Sequence, residues 1–392
     1  MANTIPSTVK PLIIGEAQRT LSQTMALMGG VNKDFSAASG KLGDTVNIAV
    51  PQALSSADVT PANIAPASSN VTVGSVSMTI DTFKEASFDL SGTDVQNYDL
   101  SSYFREQLAE AVRAVCFSAN ASLWAQYHKI PYHAGTAGTP FFNASPDTLA
   151  DMRKVLRDNR VDQMNNKFFM SPTDEAACLK VDTLQQANTF GDRSVILDGE
   201  IGRLMGFDMF IDQQVPDHVT GTITTGLATK AATPQAVGVT TVQCTTAAAT
   251  GAIDLKQGDL VTIGGVTYSL QADAVEAVAA TDVNIVIDRG LEIAVTGGEA
   301  VTLATGHGSS RINIGGDMRG FSVVNRIPET SIFGVEIQGD NKMVVTDPNS
   351  GFSLLMVTYG QYYQVQISGC WSLGCRCQSI PAGWYADTPL PS

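Results

Sequence analysis

The chain has 392 residues, 44% of them hydrophobic and only 16% charged, with a formal net charge of −14 at pH 7. That length holds two or three domains around ample core, and so little solubilising charge favours surfaces covered by other subunits. An acidic chain with no basic run excludes sequence-specific nucleic-acid binding, and no apolar run approaches the roughly 18 residues of a membrane span.

Residues 1–30 read as an arm. A polar start is followed by Ile14, Ala17, Leu21, Met25 and Met28 at helical spacing, ended by Gly29 and Gly30. This short amphipathic helix docks either on its own domain or on a neighbour. The start has no basic n-region, and Gly15, Glu16 and Gln18 interrupt its apolar cluster at once, so a signal peptide is not expected.

From Gly43 to Leu90 the apolar period becomes two. Val46, Ile48 and Val50 mark one strand, and Val76, Met78, Ile80, Ala86, Phe88 and Leu90 mark a longer one, with Val71 and Val73 in opposite parity before a candidate bulge at Gly74. The Ala, Ser and Pro-rich stretch between them is too long for a tight turn, which predicts a two-stranded tongue. Isolated hairpins are marginal in water, so something outside its own fold must hold it.

Asp99 to Lys129 is the longest predicted helix. Phe104, Leu108, Val112, Val115, Ala119 and Leu123 form one apolar face, and Ala111, Ala114, Ser118, Ala121 and Ala125 form a stripe of small side chains. The two faces predict a rod of roughly 45 Å clamped on two sides. Asp99 or Ser101 suits its start, His128 and Lys129 its last carbonyls, and Pro131 stops it.

Ser145-Pro146-Asp147 opens a helix carrying Leu149, Met152, Val155 and Leu156. Lys167–Ser171 is a short buried strand, and Pro172 begins a helix through Cys178 and Leu179. The glycines of 199–206 have neither dinucleotide nor P-loop spacing and instead turn the chain into a strand, Phe207–Ile211. Residues 220–307, rich in Thr, Ala, Val and Gly, predict a small all-β insert. Its signals are Ile263-Gly264-Gly265-Val266 and Val295-Thr296-Gly297-Gly298, and a two-residue turn at the first pairs Ile263 with Val266, Val261 with Tyr268 and Thr262 with Thr267. Val283, Ile285 and Ile287, then Val301 and Leu303, supply further strands.

Nothing in this chain predicts chemistry: catalytic residues none, cofactor-binding residues none, metal ligands none, cofactors none. The four histidines are His128, His133, His218 and His307. The first two straddle Pro131 and share no helical face, as a zinc-protease pair would. Cys370, Cys375 and Cys377 lack Cys-x-x-Cys spacing, and no G-x-S-x-G elbow is present. Asn70, Asn120 and Asn143 head chance glycosylation patterns.

The run SPTDEAACL from Ser171, a middle helix, and GEIGRLMGFDMFIDQQVP from Gly199 resemble the central part of the major capsid proteins of tailed double-stranded DNA bacteriophages, the Hong Kong 97-like fold. Gly351–Val357, Tyr362–Ile367 and Gly374-Cys375-Arg376-Cys377 with Ile380-Pro381-Ala382-Gly383 are similar to that family's closing strands. The likeness covers roughly residues 1–219 and 308–385.

The resemblance implies an α+β fold with an N-terminal arm (1–35), an extended loop (36–80), a peripheral domain (81–146) with spine helix 99–129, and an axial domain (147–219). An inserted β domain (220–307) and axial and peripheral strands (308–392) follow. It further implies a virion protein assembled in the host bacterial cytoplasm as hexamers and pentamers of an icosahedral shell. Expected partners are a portal, scaffolding and decoration proteins, and packaged double-stranded DNA touched non-specifically; no membrane and no enzymatic activity are expected. The rival readings are an encapsulin-like nanocompartment shell and a β-rich surface adhesin.

Overall fold

A computed structural model of the chain describes residues 15, 17, 26–34, 39–50, 74–91, 100–135, 141–142, 145–159, 161, 165–185, 201–223, 226–231, 234–246, 253–275, 282–305, 307–317, 320–328, 331–332, 335–336, 341–346, 351–361 and 364–377. Helices and strands are both present, with strand predominating.

Helix α1 (Ala26–Gly30) and strand β1 (Asn32–Asp34) fall in the stretch expected to form an arm, and they dock on their own chain. Ala17, Leu27, Met28 and Val31 are buried in the main core, and β1 runs parallel to residues 322–324. Intra-chain docking therefore holds for these residues; Ile14, Leu21 and Met25 lie outside the described ones.

Strand β2 (Ser39–Gly40) is followed by β3 (Thr45–Val50) and β4 (Gly74–Thr79), which pair antiparallel from Thr45↔Thr79 to Val50↔Gly74 as a sheet of two strands. Two bonds clasp the root: the Gly43 amide donates to the Ile80 carbonyl (2.8 Å), and the Ile80 amide to the Asp44 carbonyl (2.9 Å). Met78 and Ile80 bury there against Val324, with Val46 and Ile48 partly covered.

The single long strand expected through Leu90 is broken at Ile80–Asp81. Strand β5 (Thr82–Ser91) leaves the hairpin and pairs with the C-terminal strand. Parity hides this break, because Ile80 and Ala86 keep the same alternation while the hydrogen-bonding partner changes. The candidate bulge involving Val71 and Val73 and the loop 51–70 lie outside the described residues.

Helix α2 (Leu100–Trp124) continues as a 3-10 turn, Ala125–Lys129, and ends before Pro131. Leu108, Val112, Val115, Ala119 and Leu123 are buried, joined by Cys116 and Trp124. Among the described residues the small-residue stripe is covered only in part: Ala111 and Ser118 are half-buried, and Ala114, Ala121 and Ala125 are exposed. Leu354 and Met356 of the sheet share the main core with the helix's apolar face, together with Leu27, Met28 and Phe169.

Helix α3 (Asp147–Asp158), strand β6 (Asn166–Met170), helix α4 (Pro172–Leu179), the short α5 (Asp182–Gln185), and strands β7 (Arg203–Leu204) and β8 (Phe207–Ile211) form the middle of the chain. β8 lies parallel to β6 and antiparallel to β7, with Met205 (φ 48°) and Gly206 (φ 91°) making the turn between them. Ser171 caps α4 by accepting from the Asp174 amide (3.2 Å), and Pro172 suits the first turn. Leu149 and Leu156 from α3 meet Phe168, Met170 and Phe207 in a second core.

Strand β9 (Asp217–His218) leads into a β-rich segment of β10 (Thr222–Ile223), β11 (Leu227–Thr229), β12 (Thr241–Thr246), β13 (Ile253–Leu255), β14 (Leu260–Ile263), β15 (Val266–Ser269), β16 (Ala274–Val275), β17 (Asp282–Val286) and β18 (Ala300–Leu303). One sheet has the order β15-β14-β18-β11-β12-β17 and another β10-β13-β16. Val242, Cys244, Ile253, Val261, Tyr268 and Ile285 bury between them in a cluster drawn from this segment alone.

The β14–β15 register is Ile263↔Val266, Thr262↔Thr267 and Val261↔Tyr268, as the alternation predicts. The second Gly-Gly pair makes no such hairpin. Val295 bridges to Gln235, and a Cβ at Gly297 would stand 2.7 Å from the Ala231 Cα, so glycine there admits a close backbone approach.

Strand β19 (Ser310–Arg311) pairs with β9 and closes the neck of the segment, and β20 (Ile314–Asp317) returns to pair with β6. Strands β21 (Phe321–Pro328), the β22–β23 hairpin (Ser331–Ile332 and Val335–Glu336), β24 (Asn341–Thr346), β25 (Ser353–Gln361) and β26 (Gln364–Cys377) follow. β26 carries β5 along one edge, and along the other β25 and then β21. It is a continuous strand of 14 residues where two closing strands were expected; residues 378–392 lie outside the described ones. Among the described residues no helix is long and apolar enough to cross a membrane.

Candidate functional site

Two features stand out where the chain's surfaces and junctions meet. The first is a set of strands with an edge unpaired by any other strand among the described residues. The β3–β4 hairpin has no third strand among the described residues. β5 pairs with β26 alone among the described strands, with Phe83 51% exposed, and Leu42 near the hairpin root is 66% exposed. An exposed pairing edge beside exposed apolar side chains is a template for another chain.

The second is a buried polar cluster where the β-rich segment joins the long helix. β9 and β19 bring His218 and the residues around His307 together, and the turn before β14 delivers Asp259 between them. Asp259 Oδ1 accepts from His218 Nε2 (2.9 Å) and His307 Nε2 (3.3 Å). Its Oδ2 accepts from the amides of Lys256 (2.7 Å) and Gly221 (3.0 Å). Tyr127, from the 3-10 turn after α2, places its hydroxyl 2.9 Å from His218 Nδ1.

Glycine is needed at both close approaches. A Cβ at Gly221 would lie 2.8 Å from Asp259 Oδ2, and one at Gly258 would lie 2.9 Å from Tyr127 Cε2. Burial by itself would raise the Asp259 pKa. Hydrogen bonds from His218 and His307 and from the Lys256 and Gly221 amides outweigh it and hold the carboxyl well below the usual carboxylate range. Burial, with Asp259 nearby, raises Tyr127.

Further contacts fix the same junction. The His128 carbonyl accepts from Ser269 Oγ and from Gln271 Nε2 (3.0 Å). Arg289 lies over the rings of Tyr132 and Tyr268, bonded to Asp288 (3.2 Å) and Glu292 (2.7 Å).

Of the histidines considered in the sequence, His128 and His133 stay apart from this cluster's hydrogen bonds: His128 Nδ1 meets the Ala125 carbonyl and His133 Nε2 the Thr305 carbonyl. Sequence reasoning missed the gathering of His218, Asp259 and His307. One signal was present: two of only four histidines bracket the predicted insert 220–307. The carboxyl-terminal cysteines fall at separate register positions of β26, opposite Leu355, Val323 and Phe321.

No protein-family model matches the chain, and no curated protein matches it in sequence. Among solved structures the chain is similar to one described as Mycobacterium phage Che8, at 12% identity and TM-score 0.45, covering 89% of this chain and 91% of that one. It is similar to the capsid structure of the cyanophage P-SCSP1u, at 11% identity and TM-score 0.45, covering 90% and 84%. It is also similar to a virus-like particle from Pyrococcus furiosus, at 9% identity and TM-score 0.40, covering 95% and 96%.

Proposed function

We propose that this chain is the major capsid protein of a tailed double-stranded DNA bacteriophage, with a Hong Kong 97-like fold, and that its copies assemble into the icosahedral shell around the genome. The observation that carries this reading is the β3–β4 hairpin, a sheet of two strands among the described residues, with Met78 and Ile80 buried at its root. It lies in chain order between an arm and a 25-residue helix whose small-residue stripe leaves Ala114 and Ala121 exposed. Two strands alone are marginal, and neighbouring subunits supply the missing surface.

In this reading residues 36–80 are the extended loop, 81–146 the peripheral domain, 147–219 and 308–392 the axial and remaining strands, and 220–307 an inserted β domain on the outer side. Hexamers and pentamers of the chain meet a portal at one vertex, with scaffolding and decoration proteins as further partners. Packaged DNA is contacted without specificity, as the charge of −14 favours. The site of assembly is the host cytoplasm, and the chain has no enzymatic role.

Negative-stain microscopy and sedimentation of the expressed protein test this, alone and with neighbouring gene products. Closed or curved shells are expected. A protein that stays monomeric or dimeric under both conditions overturns the reading, and native particles filled with a cargo enzyme instead of DNA assign it to the nanocompartment class.

A further inference from the structure

We propose that His218, Asp259 and His307 bind one first-row divalent cation of the Zn2+ class, clipping the two ends of the β-rich segment to the turn before β14. The donor atoms His218 Nε2, His307 Nε2 and one Asp259 carboxylate oxygen lie within 4.8 Å of one another. Their side chains are 3%, 8% and 0% exposed. The two imidazole rings converge, with centroids 5.4 Å apart.

With metal–ligand bonds of about 2.0–2.2 Å, tetrahedral donors stand about 3.3 Å apart. The two separations to Asp259 Oδ1, 2.9 and 3.3 Å, lie within a few tenths of an ångström of that edge, and the two Nε2 atoms stand within 4.8 Å of each other. Two imidazoles and a carboxylate suit Zn2+ and its neighbours, whereas Mg2+ and Ca2+ prefer all-oxygen sets and Cu+ prefers sulfur. The fourth position falls to water.

The surrounding groups orient the donors as metal sites require. Asp259 commits Oδ2 to two backbone amides, which leaves Oδ1 for the ion. Tyr127 holds His218 through the ring nitrogen away from the site. Without a cation, both Nε2 atoms carry the proton they donate to Oδ1. With one, Nε2 becomes the ligand atom, the proton moves to Nδ1, and the Tyr127 hydroxyl beside His218 Nδ1 turns from donor to acceptor. Lys256 leaves the site free of its ammonium, which pairs with Asp254 at 2.7 Å.

The test titrates Co2+ into the full chain after chelator treatment. One equivalent with the intense visible bands of four- or five-coordinate Co2+, displaced by one equivalent of Zn2+, is expected. His307→Ala, at the rim, removes the bands while the circular dichroism spectrum stays that of the parent, and His128→Ala keeps them. Tyr127→Phe retains all three ligands, and an affinity about 10- to 100-fold weaker is expected from its lost orienting bond, which keeps the proposal testable if His307→Ala does not fold. A pale six-coordinate spectrum, no binding, or equal affinity in the parent and His307→Ala overturns the proposal and leaves the cluster a hydrogen-bonded lock alone.

Discussion

Replacing Asp259 by Asn keeps the shape of the side chain but not its chemistry. The carboxylate accepts four hydrogen bonds, and an amide would turn its NH2 group toward either two imidazole N–H groups or two backbone amides. Asp259→Asn should therefore cost about 2–4 kcal/mol in denaturant unfolding; unchanged stability would mean the cluster does not lock the junction. Two thiols give a prediction of a different kind. Burial, with Glu175 adding to it, pushes Cys178 up to about 12, and burial pushes Cys244 up to about 12. At pH 8 the thiolate fraction is then only about one in 10,000. Alkylation of these two sites, mapped by mass spectrometry, should be at least about 100-fold slower than for a small thiol and should rise on unfolding. The donors of the His–Asp cluster were hidden from sequence reading because His218 and His307 lie 41 and 48 residues from Asp259, and only the closing of the β9–β19 neck joins them.

At the scale of the element, the β14–β15 turn follows from local rules. Gly264 and Gly265 have φ of 59° and 83°, which the two-residue turn demands, and space around both is open, so backbone strain alone decides a substitution. Gly264→Val should cost about 1–2 kcal/mol, whereas Gly264→Asn should change thermal stability little, since Asn tolerates this conformation; equal effects of the two would show that the turn is not the constraint. The hairpin was legible because period-two alternation and the turn dipeptide agree within ten residues. At Gly297-Gly298 the same dipeptide serves a contact with Ala231, a long-range cause with no local mark. The break between β4 and β5 was equally hidden, since the chain changes partner from Thr45 to Leu373 without changing parity. The α2 core face was plain from its spacing, but which flank the subunit itself covers depends on the sheet.

For the whole molecule, the proposed shell assembly and the folding of the subunit are separable at α2. Ala121 is exposed on the small-residue stripe, so Ala121→Arg should leave the subunit folded by circular dichroism yet reduce shell formation seen by sedimentation; normal shells would place that stripe away from subunit contacts. The β-rich segment poses the converse question, whether a part folds without the rest. Its buried cluster draws on residues from Leu227 to Val301 alone, and among the described residues its two sheets are built only from the segment's own strands, none of which pairs with the main sheet. Its ends meet in the β9–β19 neck, where Ser310 pairs with His218 and Arg311 with Asp217, and the Arg311 Nε–Asp217 Oδ1 pair (3.1 Å) sits outside on the exposed face. A fragment of residues 216–312 keeps that neck and the full His218–Asp259–His307 cluster, whereas a fragment of 220–307 loses His218 and leaves a buried carboxylate short of one donor. Both should give strand-rich spectra, since the core is common to both. The longer one should melt cooperatively and at the higher temperature, because closing the neck removes loop entropy and satisfies Asp259. If 216–312 is disordered, the segment draws its stability from α2 through Tyr127 and His128; if the two fragments melt together, the neck and its cluster add nothing to the fold of the segment.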